Sequence, residues 1–355
     1  MTGLRRDGDV LVRAYGALRR LTLNRPAALN ALTLDMAAMM SALLRAWATD
    51  ASVGAVLIDG AGERGLCAGG DLRALYDAAK AKDRTLPANF WAIEYRLDLL
   101  IARYPKPVVV VMDGLVMGGG VGLSAHAAQR IVTERSSIAM PEAAIGYFPD
   151  VGASFLLARA PGQTGLHLAL TGERIGAADA IYCGLADRHI PAAQLAALPV
   201  RLADCRTAEA VEARLGAFAR APAPGRLAAA RAWIDPCYAA ATVEEIVARL
   251  RTSAAAEARA ASAALARMSP TSLKITLRNV RAAVSFKKIE ESFQQDYRVS
   301  LACLAEHDFV EGIRAAIVDK DRNPAWRPSR LEDVTADIVE RHFRSLGALE
   351  LGLDA

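Results

Sequence analysis

Three short stretches of this chain combine residue types that can act on a carbonyl group. Cys67-Ala68-Gly69-Gly70-Asp71 and Met117-Gly118-Gly119-Gly120-Val121-Gly122 present backbone with little or no side chain. Each reads as following a strand and preceding a helix. A carbonyl oxygen can approach such amides closely, and two N–H groups from separate loops can converge on one oxygen, which is what an oxyanion hole requires. Taken singly, each glycine run also fits a tight turn or a close packing contact. The third stretch holds Pro141-Glu142 and then Asp150, within Gly146-Tyr147-Phe148-Pro149-Asp150-Val151-Gly152. Two carboxylates in such a segment can serve as acid, base or nucleophile. Glu142 alone also fits a surface carboxylate. Asp150 precedes an apolar helical run and also fits a helix N-cap.

Other patterns point less far. Gly60-Ala61-Gly62-Glu63-Arg64-Gly65 has dinucleotide-loop spacing, but no helix starts within it. Neither glycine loop ends in the Gly-Lys-Ser/Thr of a phosphate-binding loop. Cys67 has no His or base near it in sequence and reads as a small buried residue. His126, one turn beyond Gly122, reads as a structural histidine. No His/Cys/Asp group has ligand spacing, so no metal is expected.

These stretches need a frame. The alternating runs at 10–12 and 18–23, split by Gly16, predict a hairpin. Thr33 reads as the N-cap of a helix to about residue 47. Residues 53–58 read as a buried strand, 60–70 as a glycine-rich loop, and 72–80 and about 87–103 as helices. Residues 107–112 read as a strongly apolar strand, and the glycine run then opens a helix near Val121. A strand at 130–134 and a helix at 151–159 follow. Strands alternating with helices to about residue 190 predict an α/β fold. Beyond that, Ala-rich helical patterns dominate, broken at Ala221-Pro222-Ala223-Pro224-Gly225 and ending in a small helical tail from about residue 331. The expected division is a catalytic core over 1–190 and a mostly helical region over 191–355 that completes the fold.

Bulk properties set outer bounds. The 355 residues are 53% hydrophobic and 23% charged, ordinary for a folded globular protein. A net charge of +4 suits an anionic ligand and gives no nucleic-acid footprint. The five cysteines include no C-x-x-C pair, and their odd number argues for a reducing compartment. No apolar run reaches membrane-spanning length. Arg5 and Arg6 are mixed with Asp7 and Asp9, which fits neither a signal nor a transit peptide. With the Ala- and Arg-rich composition, this points to a bacterial cytoplasmic protein.

Taken in order, the motifs resemble the crotonase (enoyl-CoA hydratase/isomerase) superfamily. The residues that carry the resemblance are Leu23-Asn24-Arg25-Pro26, Asn30-Ala31-Leu32, Cys67 to Asp71, Asp113-Gly114, Gly118 to Gly120, and Pro141-Glu142 with Gly146. The resemblance implies a spiral of ββα turns followed by a helical C-terminal region, with an acyl-CoA as substrate and no separate cofactor. It places the N–H groups of Ala68 and Gly119 on the thioester oxygen, with Gly69, Gly70, Asp71 and Gly118 beside the substrate. Classical hydratases of the superfamily carry a glutamate two residues after the glycine run; here that position is Gly122. Without that carboxylate, water addition to a double bond is disfavoured and thioester cleavage is favoured.

Within the superfamily the chain is similar to the 3-hydroxyisobutyryl-CoA hydrolases. Glu94-Tyr95, Val121 to His126, Pro141 to Gly152, Ser269 to Lys274, Glu311 to Ala315, Asp319-Lys320-Asp321 and Pro324 to Pro328 carry this likeness. It implies hydrolysis of a short branched 3-hydroxyacyl-CoA, as in valine catabolism. Glu142 would act as nucleophile or base, Asp150 would bind the substrate hydroxyl or assist proton transfer, and Glu94 would line the pocket. Tyr147, where Leu is common in that group, and Ser154, in place of a usual glycine, are departures. The superfamily implies a homo-oligomer, although the long C-terminal half could cover the same surface from within one chain. The alternatives are a hydratase or isomerase acting with an unusual carboxylate set and a non-catalytic acyl-CoA-binding homologue.

Overall fold

The computed structural model describes residues 8–353; Arg5, Arg6 and Asp7 lie outside them. Its contacts divide into two compact units. The first runs to Gly70 and then takes Ile93–Ile138 and Ile175–Gly225; the second takes Asp71–Ala92, Ala139–Arg174 and the chain from Arg226 on.

The first unit is built on sheets. β1 (Val10–Tyr15) and β2 (Leu18–Leu23) form the expected antiparallel hairpin. β3 (Ala55–Gly60), β5 (Val108–Met112), β7 (Gln129–Val132) and β9 (Arg188–His189) extend it in parallel, giving the order β1-β2-β3-β5-β7-β9. β5 sits mid-sheet and is buried along its whole length, which is why Val108 to Met112 reads as an unbroken apolar run. Leu57, Val109, Val111 and Ile131 of the sheet pack with Leu198, Leu202, Val211 and Leu215 from later helices.

Three further strands, β4 (Gly65–Cys67), β6 (Leu115–Met117) and β8 (Ser137–Ala139), form a separate small sheet. Each follows its long-sheet partner β3, β5 or β7 after a short loop. This repeated strand–strand–helix advance is the ββα spiral. The sequence reading put a loop over 60–70 and no strand at 115–117 or 137–139. Three residues cannot display a period, so these short strands carry no periodic signal.

The second unit is mainly helical. Ser269 opens the helix Pro270–Ala283 by accepting the Ser272 N–H, and the helices Ile289–Ala305 and His307–Ile313 follow. Residues 219–226 form neither helix nor strand, in keeping with the Ala-Pro break. Short helical turns at Leu331–Asp333 and Ala336–Arg341 make up the tail. Among the described residues no helix is long and apolar enough to cross a membrane.

Candidate active site

In the first unit, β4 and β6 pair in parallel, with Cys67 opposite Val116, so the loops that leave them lie side by side. Their backbones nearly touch. A Cβ on Gly119 would stand 3.6 Å from the Gly70 nitrogen, and one on Gly120 would stand 2.4 Å from the Cys67 carbonyl oxygen. Gly118 turns the chain into the helix Gly119–Ala125 at φ +48°. The run therefore serves two ends: Gly120 permits packing, and Gly119 leaves an amide open beside the neighbouring loop.

The open amide of that neighbouring loop is Gly70, not Ala68. The Ala68 N–H already donates to the Leu29 carbonyl at 3.1 Å. Among the described residues the N–H groups of Gly70 and Gly119 make no hydrogen bond. The first amide of a helix has no acceptor within that helix, which accounts for Gly119. Spacing alone marks the glycine loop but not which of its amides is already used.

Burial and bonding set the surroundings of the other expected residues of this unit. Glu94 is only 2% exposed. Its Oε1 lies 2.3 Å from where a Gly119 Cβ would stand, so the carboxyl occupies the space that glycine leaves. The Gly69 carbonyl accepts the Leu32 N–H at 2.9 Å. Gly122 is buried and its N–H donates to the Gly118 carbonyl at 3.2 Å. Cys67 is buried, and burial pushes its thiol up to about 12, so it is no ready thiolate.

The second unit holds the other expected residues. Asp71 acts as the N-cap of the helix Leu72–Lys80, accepting the Ala74 N–H at 3.3 Å. Glu142 opens the 3-10 turn Glu142–Ile145 and is 6% exposed, not the surface carboxylate its type suggests. Its Oε2 is buried and has no hydrogen-bond partner. Burial, and after it the charge of Asp150, pushes the Glu142 carboxyl well above its ordinary value.

Asp150 is not the expected N-cap. The helix begins only at Ala153, and Gly152 holds the cap position at φ +71°. The Asp150 side chain instead meets the Tyr147 hydroxyl, 3.2 Å from Oδ2. Tyr147 Oη lies 2.6 Å from Ser300 Oγ, and its ring packs against Trp91 and Phe309. Asp296, fully buried, accepts the Gly152 N–H at 2.8 Å, and Ser154 Oγ meets Ser292 Oγ at 2.7 Å. Both residues noted as departures, Tyr147 and Ser154, thus find hydroxyl partners on the helix Ile289–Ala305. Sequence reading missed Ser292, Asp296 and Ser300; their four-residue spacing was the available signal.

Two backbone amides without an acceptor in one unit and, in the other, a buried carboxyl with an unsatisfied oxygen are each parts suited to acyl transfer. The comparisons with known proteins agree. The sequence profile described as enoyl-CoA hydratase/isomerase matches residues 18–343. The mitochondrial 3-hydroxyisobutyryl-CoA hydrolase of Xenopus tropicalis is 41% identical over 98% of this chain and 92% of its own. A solved carnitinyl-CoA dehydratase from Mycobacterium thermoresistibile superposes with a TM-score of 0.92 at 48% identity, over 97% of this chain and 98% of that one. An enoyl-CoA hydratase from Rhodobacter sphaeroides 2.4.1 does so with a TM-score of 0.91 at 43% identity, over 98% and 100%. With the ββα spiral, the paired glycine loops and a profile match spanning most of its length, the chain belongs to the enoyl-CoA hydratase/isomerase family of the crotonase superfamily.

Proposed function

We propose that this protein hydrolyses the thioester of a short branched 3-hydroxyacyl-CoA, with 3-hydroxyisobutyryl-CoA as substrate and 3-hydroxyisobutyrate and coenzyme A as products. The observation that carries the reading is Glu142, a buried carboxyl with an oxygen that no hydrogen bond satisfies. A carboxylate kept in that state is costly, and bonding to a carbonyl carbon or to a water proton relieves the cost. Near-full-length likeness to a hydrolase named for this substrate supports the choice of acyl group.

Thioester cleavage needs donors for the tetrahedral oxyanion and a group that delivers the nucleophile. In this reading the Gly70 and Gly119 amides serve as the donors, and Glu142 delivers the nucleophile. Glu142 either attacks the carbonyl, giving an anhydride that water opens, or takes a proton from the attacking water. In both routes the C–S bond breaks and coenzyme A leaves as the thiol. Asp150 binds the 3-hydroxyl, and Glu94 borders the donors. The residue two positions past the glycine run is Gly122, so no second carboxylate stands there to manage water addition to a double bond.

Free-thiol release measured over a panel of acyl-CoAs tests the reading. The expected result is rapid release from 3-hydroxyisobutyryl-CoA and slower release from straight-chain and unhydroxylated thioesters. Loss of enoyl-CoA with no thiol released would overturn it in favour of a hydratase. Binding without any conversion would leave a non-catalytic acyl-CoA carrier.

A further inference from the structure

In the second unit the helix Pro270–Ala283 borders a cleft of about 820 Å³, with residues of the helices Val243–Thr252 and Ala336–Arg341 on its other sides. Val243, Leu277, Val334 and Val339 line it, and each is less than a tenth exposed, so they form its floor. An apolar floor under a few polar groups, at this size, is the usual make-up of a small-molecule site. None of its lining residues belongs to the glycine loops or to the Glu142 segment.

The charges around the cleft do not pair off evenly. Lys274 meets Glu244 at 2.6 Å, and Arg278 meets both oxygens of Glu340 while lying 3.6 Å over the Phe343 ring. Arg281, the third cation, reaches no carboxylate among the described residues. It donates to the backbone carbonyls of Ala240 and Ala241, which uses two of the five guanidinium N–H groups and leaves three. Partial burial pulls its pKa below the ordinary value, and only the through-space charge of Glu245 opposes this. The Glu245 carboxyl itself accepts the Ala241 N–H at 2.9 Å.

The two ends of the cleft also differ in what they accept. Lys274 and Arg281 stand seven residues apart on one helix, about 10 Å along its axis. At the Lys274 end, Glu244 keeps its second oxygen buried and without a hydrogen-bond partner, so that end takes a donor and repels an anion. The open donors lie at the Arg281 end. An anion with an apolar body therefore has one favourable orientation, with its charge at Arg281 and its body over Leu277 and Val339.

We propose that this cleft is a second ligand site, and that it takes a medium-chain aliphatic carboxylate. The carboxylate fills the open donors of Arg281, and the chain lies along the apolar floor toward Lys274. The assignment does not depend on which reaction the glycine loops and Glu142 perform.

The test is isothermal titration of the full chain with hexanoate, octanoate and the neutral octanol. The expected result is saturable binding of octanoate, roughly 15-fold tighter than hexanoate, at about fourfold for each of two more buried methylenes. Octanol should bind more weakly than octanoate. Arg281→Gln should lose about tenfold in octanoate affinity, the size of a hydrogen bond to a charged group, and bind octanol as before. Ala282→Leu adds bulk to the wall of the cleft and leaves its charges alone; it should weaken octanoate and octanol together. Both variants are checked for native folding by circular dichroism, and if Arg281→Gln does not fold, Ala282→Leu decides. No saturable octanoate binding at millimolar concentration overturns the proposal. So does octanol binding as tightly as octanoate, or wild-type affinity for octanoate in Ala282→Leu or in folded Arg281→Gln.

Discussion

In the proposed reading the first unit contributes backbone amides, at Gly70 and Gly119, whereas the second contributes carboxyl groups, at Glu142 and Asp150. The difference decides how each can be damaged. No change of side chain removes an amide short of proline, so the glycine loops are sensitive to added volume and indifferent to most chemistry. The carboxyl segment is the opposite, since an isosteric amide fits the same space and loses the function.

The largest effect is expected on the carboxyl side. Glu142→Gln should lower kcat for thiol release by roughly 10²–10⁴-fold, the range for a positioned acid–base group, with acyl-CoA affinity largely kept. Its effect on stability has the other sign. Folding raises this carboxyl above its ordinary 4.5, so across that interval the native state binds a proton that the unfolded chain has released. That stability is complete below the unfolded value and is lost as pH rises toward the folded one. Melting curves should therefore show Glu142→Gln above the wild type at pH 8, with the gap closing toward pH 4. A gap that widens on acidification would mean that Glu142 is held as a satisfied anion.

On the amide side, two adjacent glycines separate function from packing. An alanine at Gly119 meets the Glu94 carboxyl, the movable end of a side chain, whereas one at Gly120 meets the Cys67 backbone, which cannot give. Gly119→Ala should lose on the order of 10²-fold in kcat/KM, comparable to one lost oxyanion donor, with little change in Tm. Gly120→Ala should lose about 1–3 kcal/mol of stability, as overpacking does, and keep its rate per folded molecule. Parallel melting and thiol-release measurements check both. If the two variants exchange behaviours, the assignment within the run is wrong.

The same contrast explains how much could be read from sequence. Long periodic elements were legible: the hairpin, the helix capped by Thr33, and the β5 run from Val108 to Met112. So were the two glycine loops and the Glu142 segment, because their residue types limit what they can do. What stayed hidden depends on contacts between distant residues. Ala68 looked like the donor until the fold brought the Leu29 carbonyl to its N–H, leaving Gly70. Asp150 looked like a cap because the sequence does not show that Val151 and Gly152 both turn at positive φ and delay the helix. The three-residue strands of the small sheet are held by pairing, not by a pattern of their own. Tyr147 gains its meaning only from Ser300, far along the chain.

The most direct measurement is the identity of the products formed from 3-hydroxyisobutyryl-CoA, with free thiol and acyl-CoA species quantified together by mass spectrometry. Hydrolysis predicts coenzyme A and 3-hydroxyisobutyrate in equal amounts, with both falling together in Glu142→Gln. An unsaturated acyl-CoA formed by loss of water, with the thioester intact and no free thiol, would contradict it.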